Sequence, residues 1–247
     1  MARILVPLPD RDFDVTECAV PWKLLRDAGH EVVFATAAGA VPNGDPLLLT
    51  GVVFGLLGAE SEAKEFYREL ETSRDFRAPL PYAEIVPAAF DALLLPGGHA
   101  PGMRPYLESE VLRAKVAAFW NLARPVAAIC HGVLVLARAT DPATGRSLLA
   151  HATTTCLPGY MERTAYFATA WKLDRYYRTY PAYVEEEVKG ALADPSTQFR
   201  RGPLHLFAKG TRTDDRAAFV VEDRNYLSAR WPGDAYLLAK KLVARLA

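Results

Sequence analysis

An α/β fold with a mostly parallel central sheet is predicted by three observations on this sequence. Short apolar segments alternate with longer segments of helical period, which is typical of strand–helix–strand units. The segments at 90–98 and 124–130 are almost continuously apolar, as expected for strands that are covered by helices on both faces. The chain has 247 residues, 51% of them hydrophobic, which is enough for the core of one large domain.

The strands are predicted from short runs of apolar and β-branched residues. A fifth strand is expected at the threonine-rich stretch HATTTCLP, and a hairpin at 216–231 is expected to turn at 223–225. In chain order the five predicted strands are 3–9, 30–39, 90–98, 124–130 and 151–158.

The helices are predicted from apolar residues that recur at helical spacing. The first runs over 15–29, where Gly29 is suited to end it. Two more are expected, one beginning near Gly132 and one closing the chain at 233–247. The helix at 106–123 is predicted to turn one face to the core, formed by Val111, Leu112, Val116, Phe119 and Trp120.

Two segments exceed a minimal sheet and are interpreted as insertions in a single domain over 1–247. One lies at about 42–82 and contains an apolar piece, 46–59, followed by a charged helix. It either packs on the core as ordinary helices or forms a lid or a subunit contact. The other lies at about 160–210, and its tyrosines Tyr176, Tyr177, Tyr180 and Tyr183 either line the mouth of a site or belong to a half-buried helix surface.

The composition argues against several classes of function. Basic and acidic residues number 29 each, with no basic block, so no nucleic-acid partner is expected. The start of the chain has no signal-peptide pattern, and 46–59 is too short and glycine-broken to span a membrane. The three cysteines form no CxxC pair, which indicates a reducing cytoplasm rather than a disulfide or zinc framework.

Cys130 is the first candidate for chemistry. It stands where a buried strand meets a helix, with Gly132 two residues later, which is the arrangement of a nucleophile elbow. The helix N-terminus is expected to lower the thiol pKa. The alternative is a buried cysteine in a small-residue packing site. His131 is either the base for Cys130 or a residue whose imidazole points away.

The glycine pair after the third strand is a second candidate. Gly97 and Gly98 allow backbone N–H groups to approach a ligand, and the N–H groups of Gly98 and His131 are the predicted oxyanion donors. His99 is predicted to line the same site, but His99 and His131 have no recognised metal-ligand spacing, so no metal is expected. Glu17 is either a partner of the thiol, protonated if buried, or an ordinary surface carboxylate.

Together these motifs resemble the ThiJ/PfpI superfamily, the family of the parkinsonism-associated protein deglycase, among the class I glutamine amidotransferase-like proteins. The matching pieces are VTECAVPWKLLRDAGHEVVFAT, DALLLPGGHAPG, PVAAICHGVLVLA and NYLSARWPGDA, which span most of the chain outside the insertions. The insertions resemble those of the larger chaperone and glyoxalase branch.

The resemblance implies a flavodoxin-like three-layer sandwich, a homodimer and no cofactor. It implies that Cys130 is the nucleophile, that Glu17 contacts the thiol, and that His131 belongs to a cysteine–histidine–acid set. In the chaperone and glyoxalase branch the acid follows the cysteine by about thirty residues, which points to Glu162, with Asp141 as a weaker candidate.

The expected function is that of a cofactor-independent cysteine enzyme acting on small reactive carbonyls or their adducts, as glyoxalase III and deglycases do. One alternative is a C–N bond hydrolase or hydratase, such as an amidase, peptidase or isonitrile hydratase. The other is a stress chaperone or redox sensor without turnover, in which 46–59 forms a client-binding patch and Cys130 is oxidised. No His-x-Glu occurs in the chain, which argues against glutamine hydrolysis.

Overall fold

A computed structural model describes residues 1–51, 57–204 and 207–247 and contains a central sheet of seven strands. Its strand order is β5-β3-β1-β6-β7-β9-β8, and a separate parallel pair joins β2 to β4. All pairings in the large sheet are parallel except that of β8 with β9. The strands are β1 (Arg3–Pro7), β2 (Arg11–Phe13), β3 (Glu31–Thr36), β4 (Asn43–Gly44), β5 (Leu80–Pro81), β6 (Ala92–Leu95), β7 (Val126–Ile129), β8 (Val220–Asp223) and β9 (Tyr226–Ala229).

Helices cover both faces of this sheet. α1 packs against α3 and α11 on one face, whereas α7 packs against α5, α6 and α9 on the other. The three-layer α/β fold predicted from the sequence is therefore confirmed. The helices are α1 (Val15–Asp27), α2 (Pro46–Thr50), α3 (Ser61–Thr72), α4 (Arg74–Arg77), α5 (Arg104–Glu108), α6 (Glu110–Trp120), α7 (Val133–Arg138), α8 (Gly159–Leu173), α9 (Val184–Ala191), α10 (Pro195–Gln198) and α11 (Ala235–Arg245).

The strand order brings the candidate residues to one edge of the sheet. β6 lies between β1 and β7, and the three strands run parallel. Their carboxyl ends therefore adjoin, and in open α/β sheets such an edge is where ligands bind. The glycine pair follows β6, Cys130 follows β7, and α1 with Glu17 follows β1 by way of β2.

A buried ion pair fixes the end of the C-terminal hairpin to the last helix. β8 and β9 form the predicted hairpin. Beyond β9, Arg230 donates from Nε to Asp234 Oδ2 at 2.8 Å and from Nη2 to Asp234 Oδ1 at 2.9 Å. Both side chains are fully buried. The backbone N–H groups of Phe219 and Arg230 also donate to Asp234, so the buried carboxylate has several partners.

The predicted strand at 151–158 is wrong. Only Thr154 forms a bridge there, to Phe199, and the rest of the segment has no ladder pairing. Thr154, Thr155 and Cys156 are nevertheless fully buried. Their polar groups bond to β9 side chains instead, since Thr155 N donates to Ser228 Oγ and Thr154 Oγ1 lies 2.9 Å from Tyr226 Oη. A buried segment without strand pairing can thus have the β-branched composition that is typical of a strand.

The core face predicted for α6 is largely confirmed. Leu112, Val116 and Phe119 are buried and Trp120 packs partly against the core. Val111 is 49% exposed, because it precedes the buried stripe by one residue and points away from it.

The segment at 42–82 contributes to both the sheet and a helical layer. β5 extends the sheet beside β3, and α3 packs on α1. Within the apolar piece 46–59, residues 52–56 lie outside the described residues, and so does that part of the client-binding patch expected there. In the described part of the chain, no helix combines the length and the hydropathy needed to cross a bilayer.

Candidate active site

Cys130 sits on a strained turn between β7 and α7. Its φ is 57°, in the left-handed region that is uncommon for residues other than glycine. A 3-10 turn over Cys130–Gly132 leads into α7. A Cβ on Gly132 would lie 2.1 Å from the Leu95 carbonyl oxygen, so only glycine lets this turn pass so close to β6. The chain therefore presents the thiol at a tight elbow, where the edge of the sheet meets a helix.

His131 faces Cys130, and its hydrogen bonds determine which nitrogen is protonated. Nδ1 lies 3.4 Å from Cys130 Sγ, and Nε2 lies 3.2 Å from Thr179 Oγ1. The Thr179 hydroxyl proton is already donated to the His99 carbonyl at 2.6 Å. Thr179 must then accept from Nε2–H, which leaves Nδ1 unprotonated and able to accept the proton of the thiol. Burial holds the pKa of His131 well below its usual value, so the ring is a neutral base.

Glu17 lies next to the thiol as a neutral acid. It is fully buried, and its Oε2 accepts a 2.8 Å hydrogen bond from Gly97 N–H. Burial, together with the nearby Asp14, raises the pKa of Glu17 well above its usual value. Since Oε2 accepts from Gly97, the proton belongs on Oε1, and the carboxyl group also interacts with the Cys130 side chain. The protonated carboxyl group of Glu17 is thus placed beside Cys130, where it can donate a proton.

The thiol of Cys130 is neutral in this state. Burial raises its pKa well above the usual value, and the adjacent Glu17 and Asp14 act in the same direction, whereas the His131 backbone N–H lowers it. The expectation of a thiol pKa lowered by a helix terminus is therefore not supported. α7 is short, and the cost of burying a thiolate exceeds its favourable effect. A thiolate at rest is therefore disfavoured at this position.

Asp14 and Asp45 are two further buried carboxylates. Asp14 caps α1 by accepting from Thr16 N at 2.8 Å and from Glu17 N at 3.1 Å. Asp45 caps α2 and also accepts a short hydrogen bond from the Tyr176 hydroxyl. Both carboxylates are 2% exposed. Neither was singled out from the sequence, although the Asp-x-x-Glu spacing of Asp14 and Glu17 is a signal of a helix N-terminus.

Residues 176–179, here called the covering segment, pack against His99 and His131. The His99 ring lies 4.4 Å from the Tyr177 ring and 5.2 Å from the Tyr176 ring, and 6.1 Å from that of His131. Tyr176 and Tyr177 are both buried, as is Thr179. His99 Nε2 is buried and has no partner among the described residues. Of the two interpretations of these tyrosines, lining the site holds for Tyr176 and Tyr177.

Gly97 supports the Glu17 carboxyl group. Gly97 N–H is occupied by Glu17, so it is not a free oxyanion donor. A Cβ on Gly97 would lie 2.8 Å from Glu17 Oε2 and 2.8 Å from His131 N, which explains why this position has no side chain. The oxyanion role of Gly98 and His131 stays a prediction. The His131 backbone N–H acts on the Cys130 thiol and lowers its pKa.

The structure does not bring Glu162 or Asp141 to His131. Glu162 accepts from Val184 N at 3.0 Å, and burial raises its pKa to about 7. Asp141 accepts from Ala143 N at 2.9 Å and from Thr144 Oγ1 at 3.1 Å within its own turn. The partner of His131 is instead the Thr179 hydroxyl. Sequence reasoning missed Thr179 because nothing in its local pattern marks it.

Replacing Asp14 with asparagine is expected to change how stability depends on pH. Burial raises the pKa of Asp14 from 3.8 to about 6, so the folded state holds a proton that the unfolded chain releases. The wild type should therefore lose stability as pH rises through this interval, by about 3 kcal/mol from this group. The asparagine side chain keeps the helix cap without a charge.

The measurement is urea unfolding of both proteins from pH 4 to pH 8. The variant should gain about 2 to 3 kcal/mol on the wild type between the two ends of this range. A difference between the two proteins that does not vary with pH would show that the Asp14 charge is not the cause.

Comparison with known proteins shows the family of this chain. A model of the family described as ThiJ/PfpI family-like matches residues 8–203. The chain belongs to the ThiJ/PfpI family. A Schizosaccharomyces pombe protein named only as uncharacterized is 29% identical to this ThiJ/PfpI protein in an alignment 250 positions long, which covers 97% of this chain and 82% of the relative.

Two named proteins are also similar to this ThiJ/PfpI protein. Protein/nucleic acid deglycase 2 of Escherichia coli is 33% identical over 152 residues, 61% of this chain and 72% of the deglycase. Glyoxalase III of Candida albicans has the same fold, with a TM-score of 0.70 and 18% identity over 99% of this chain and 97% of that one. The dimer and the cytoplasmic location expected from the sequence stay predictions.

Proposed function

We propose that this protein is a cofactor-independent cysteine enzyme that acts on small reactive carbonyls or their adducts. One observation carries the proposal: an elbow cysteine 3.4 Å from the unprotonated nitrogen of a neutral histidine, with the buried carboxylic acid of Glu17 beside it. The names of the deglycase and glyoxalase III relatives support the same class of reaction.

The first step would be addition of Cys130 to an aldehyde carbon such as that of methylglyoxal. His131 Nδ1 takes the thiol proton while the sulfur forms a bond to the carbon. The carbonyl π electrons move to oxygen, which accepts a proton from Glu17 Oε1. The product is a hemithioacetal, and Glu17 is left as a carboxylate.

The second step would move a hydrogen between the two carbons of the dicarbonyl. A base removes the proton from the hemithioacetal carbon, giving an enediol, and a proton returns to the neighbouring carbon. The result is a thioester of lactic acid on Cys130, with no net oxidation. Water then attacks the thioester carbonyl and releases lactate, and the thiol regains its proton. The sum is methylglyoxal plus water giving lactate.

The neutral state of each group suits this sequence of steps. A thiolate at rest would have to be stabilised in a buried site, whereas a neutral thiol beside a neutral base ionises only when an electrophile is present. The unusual pKa values of Glu17 and His131 hold the acid protonated and the base free at the same pH.

The test is a substrate panel with product identification. Wild-type protein is incubated with methylglyoxal, with glyoxal and with small amides and isonitriles, and lactate or glycolate is measured along with any ammonia or formamide. Lactate formation, with a transient adduct on Cys130 seen by mass spectrometry, is the expected result. Turnover of amides or isonitriles alone would replace the proposal with a C–N hydrolase or hydratase, and turnover of nothing would leave a non-enzymatic role.

A further inference from the structure

We infer that a cleft lined by Arg104, Arg175 and Arg178, here called the arginine cleft, binds the carboxylate or phosphate group of an anionic carbonyl substrate. The inference rests on the proposed function. It goes beyond that function because it assigns a charge to the preferred substrate and a place to the residues that recognise it.

The arginine cleft has the size and lining of a small-molecule site. Its volume is about 460 Å³, within the range of about 300 to 1,000 Å³ that is typical of ligand pockets. Leu47 and Leu173 supply apolar wall, and the three arginines supply positive charge. Asp174 is the carboxylate on its rim. The net charge of the lining is thus positive, which concentrates anions in a concave site.

The three guanidinium groups are available to a ligand. Within the described part of the chain, none of them lies within ion-pair distance of a carboxylate, and Arg178 acts on Glu162 only as a nearby charge. Arg104 donates only to the carbonyl oxygen of Thr179, at 3.0 Å from Nε and 2.5 Å from Nη2. Arg178 donates to the Pro181 carbonyl and stacks 3.8 Å above the Tyr183 ring. A carboxylate or phosphate is a stronger acceptor than these neutral carbonyls and matches the forked donors of arginine.

The arginine cleft adjoins the covering segment. Tyr176 and Thr179 both line it. Thr179 also holds His131 Nε2 through its hydroxyl, and Tyr176 contacts the His99 ring. A ligand in the cleft is therefore separated from His131, the base of the proposed reaction, only by the Thr179 side chain.

The deciding variants are Arg175→Gln and the double variant Arg175→Gln/Arg178→Gln. Both remove positive charge and keep much of the side-chain length. Arg113→Gln is the matched control, because Arg113 is on α6, outside the cleft, where its contact with Glu110 is 3.8 Å. Thermal unfolding of every variant shows whether the fold is retained, and Arg175→Gln serves on its own if the double variant unfolds.

Binding is measured first, by isothermal titration with sodium D-lactate and with inorganic phosphate. These two probes distinguish a carboxylate ligand from a phosphate ligand and require no turnover. We expect the wild type and Arg113→Gln to bind at least one of the two, and the double variant to bind it about tenfold more weakly. Absence of binding to the wild type, or equal binding to the double variant, overturns the inference.

Turnover is measured second, as the ratio of kcat/KM for glyoxylate to kcat/KM for methylglyoxal. The ratio should fall about tenfold in the double variant and stay constant in Arg113→Gln. If the wild type binds the anions through these arginines but converts neither carbonyl, the arginine cleft stands and the proposed function fails. If carbonyls are converted and the ratio is the same in all variants, the arginine cleft fails and the proposed function stands.

Discussion

Replacing Cys130 with alanine is expected to lower kcat/KM for methylglyoxal at least about a thousandfold. The variant has no sulfur to add to the aldehyde carbon, and neither neutral His131 nor Glu17 is a nucleophile that can replace it. The loss should be in kcat, because the remaining polar groups of the site are still present to bind substrate. Steady-state production of lactate is the measurement.

Cys156→Ala is the matched control for this prediction. Cys156 is as deeply buried as Cys130, but it lies beside β9 and contacts the Leu157 carbonyl instead of a histidine. Its replacement should lower stability by a few kcal/mol at most and leave kcat unchanged. Residual turnover above about a tenth of the wild-type value in Cys130→Ala would contradict a covalent role for this thiol.

Placing alanine at Gly132 is expected to destabilise the fold by about 3 kcal/mol or more. The added Cβ would lie 2.1 Å from the Leu95 carbonyl oxygen and 2.7 Å from that of Pro96. Both contacts are with backbone, so no side chain can rotate away. Relief requires β6 to separate from the Cys130 turn. Chemical denaturation measures the loss of stability.

Gly190→Ala is the matched control, for which we expect the free energy of unfolding to change in the opposite direction. Gly190 lies in α9, and nothing is within 4 Å of the position a Cβ would take. Alanine there should stabilise the protein by about 0.5 to 1 kcal/mol, because a helix favours alanine over glycine. Similar free energies of unfolding for the two variants would show that the close approach at Gly132 is not a constraint.

The sheet could be predicted from the sequence because its central strands have a local signature. β6 and β7 are short, continuous apolar runs, each followed by a helical period, and the parallel order follows from that alternation. The segment at 151–158 has the same composition for another reason. Its threonines are buried under side chains of β9, which already pairs with β7 and β8, so no ladder position beside it is free.

The site could be predicted from the sequence where its residues are close together in the chain or belong to a predicted element. Cys130 and His131 are adjacent in the chain, and Glu17 follows from its place early in the helix after β1. Thr179 is 48 positions from His131, and its role depends on how the covering segment folds back over the sheet edge. No local pattern marks such a contact, whereas the family resemblance pointed to a carboxylate, Glu162 or Asp141, as the partner.

The burial of Cys130 has a consequence for reagents that modify thiols. The residue is 2% exposed, so an alkylating agent reaches it only while the site is open. When opening and closing are fast, the alkylation rate relative to that of an unprotected thiolate equals the open fraction of molecules. Each tenfold slowing then corresponds to about 1.4 kcal/mol of opening free energy. The alkylation rate of Cys130 therefore measures the free energy of opening of the site.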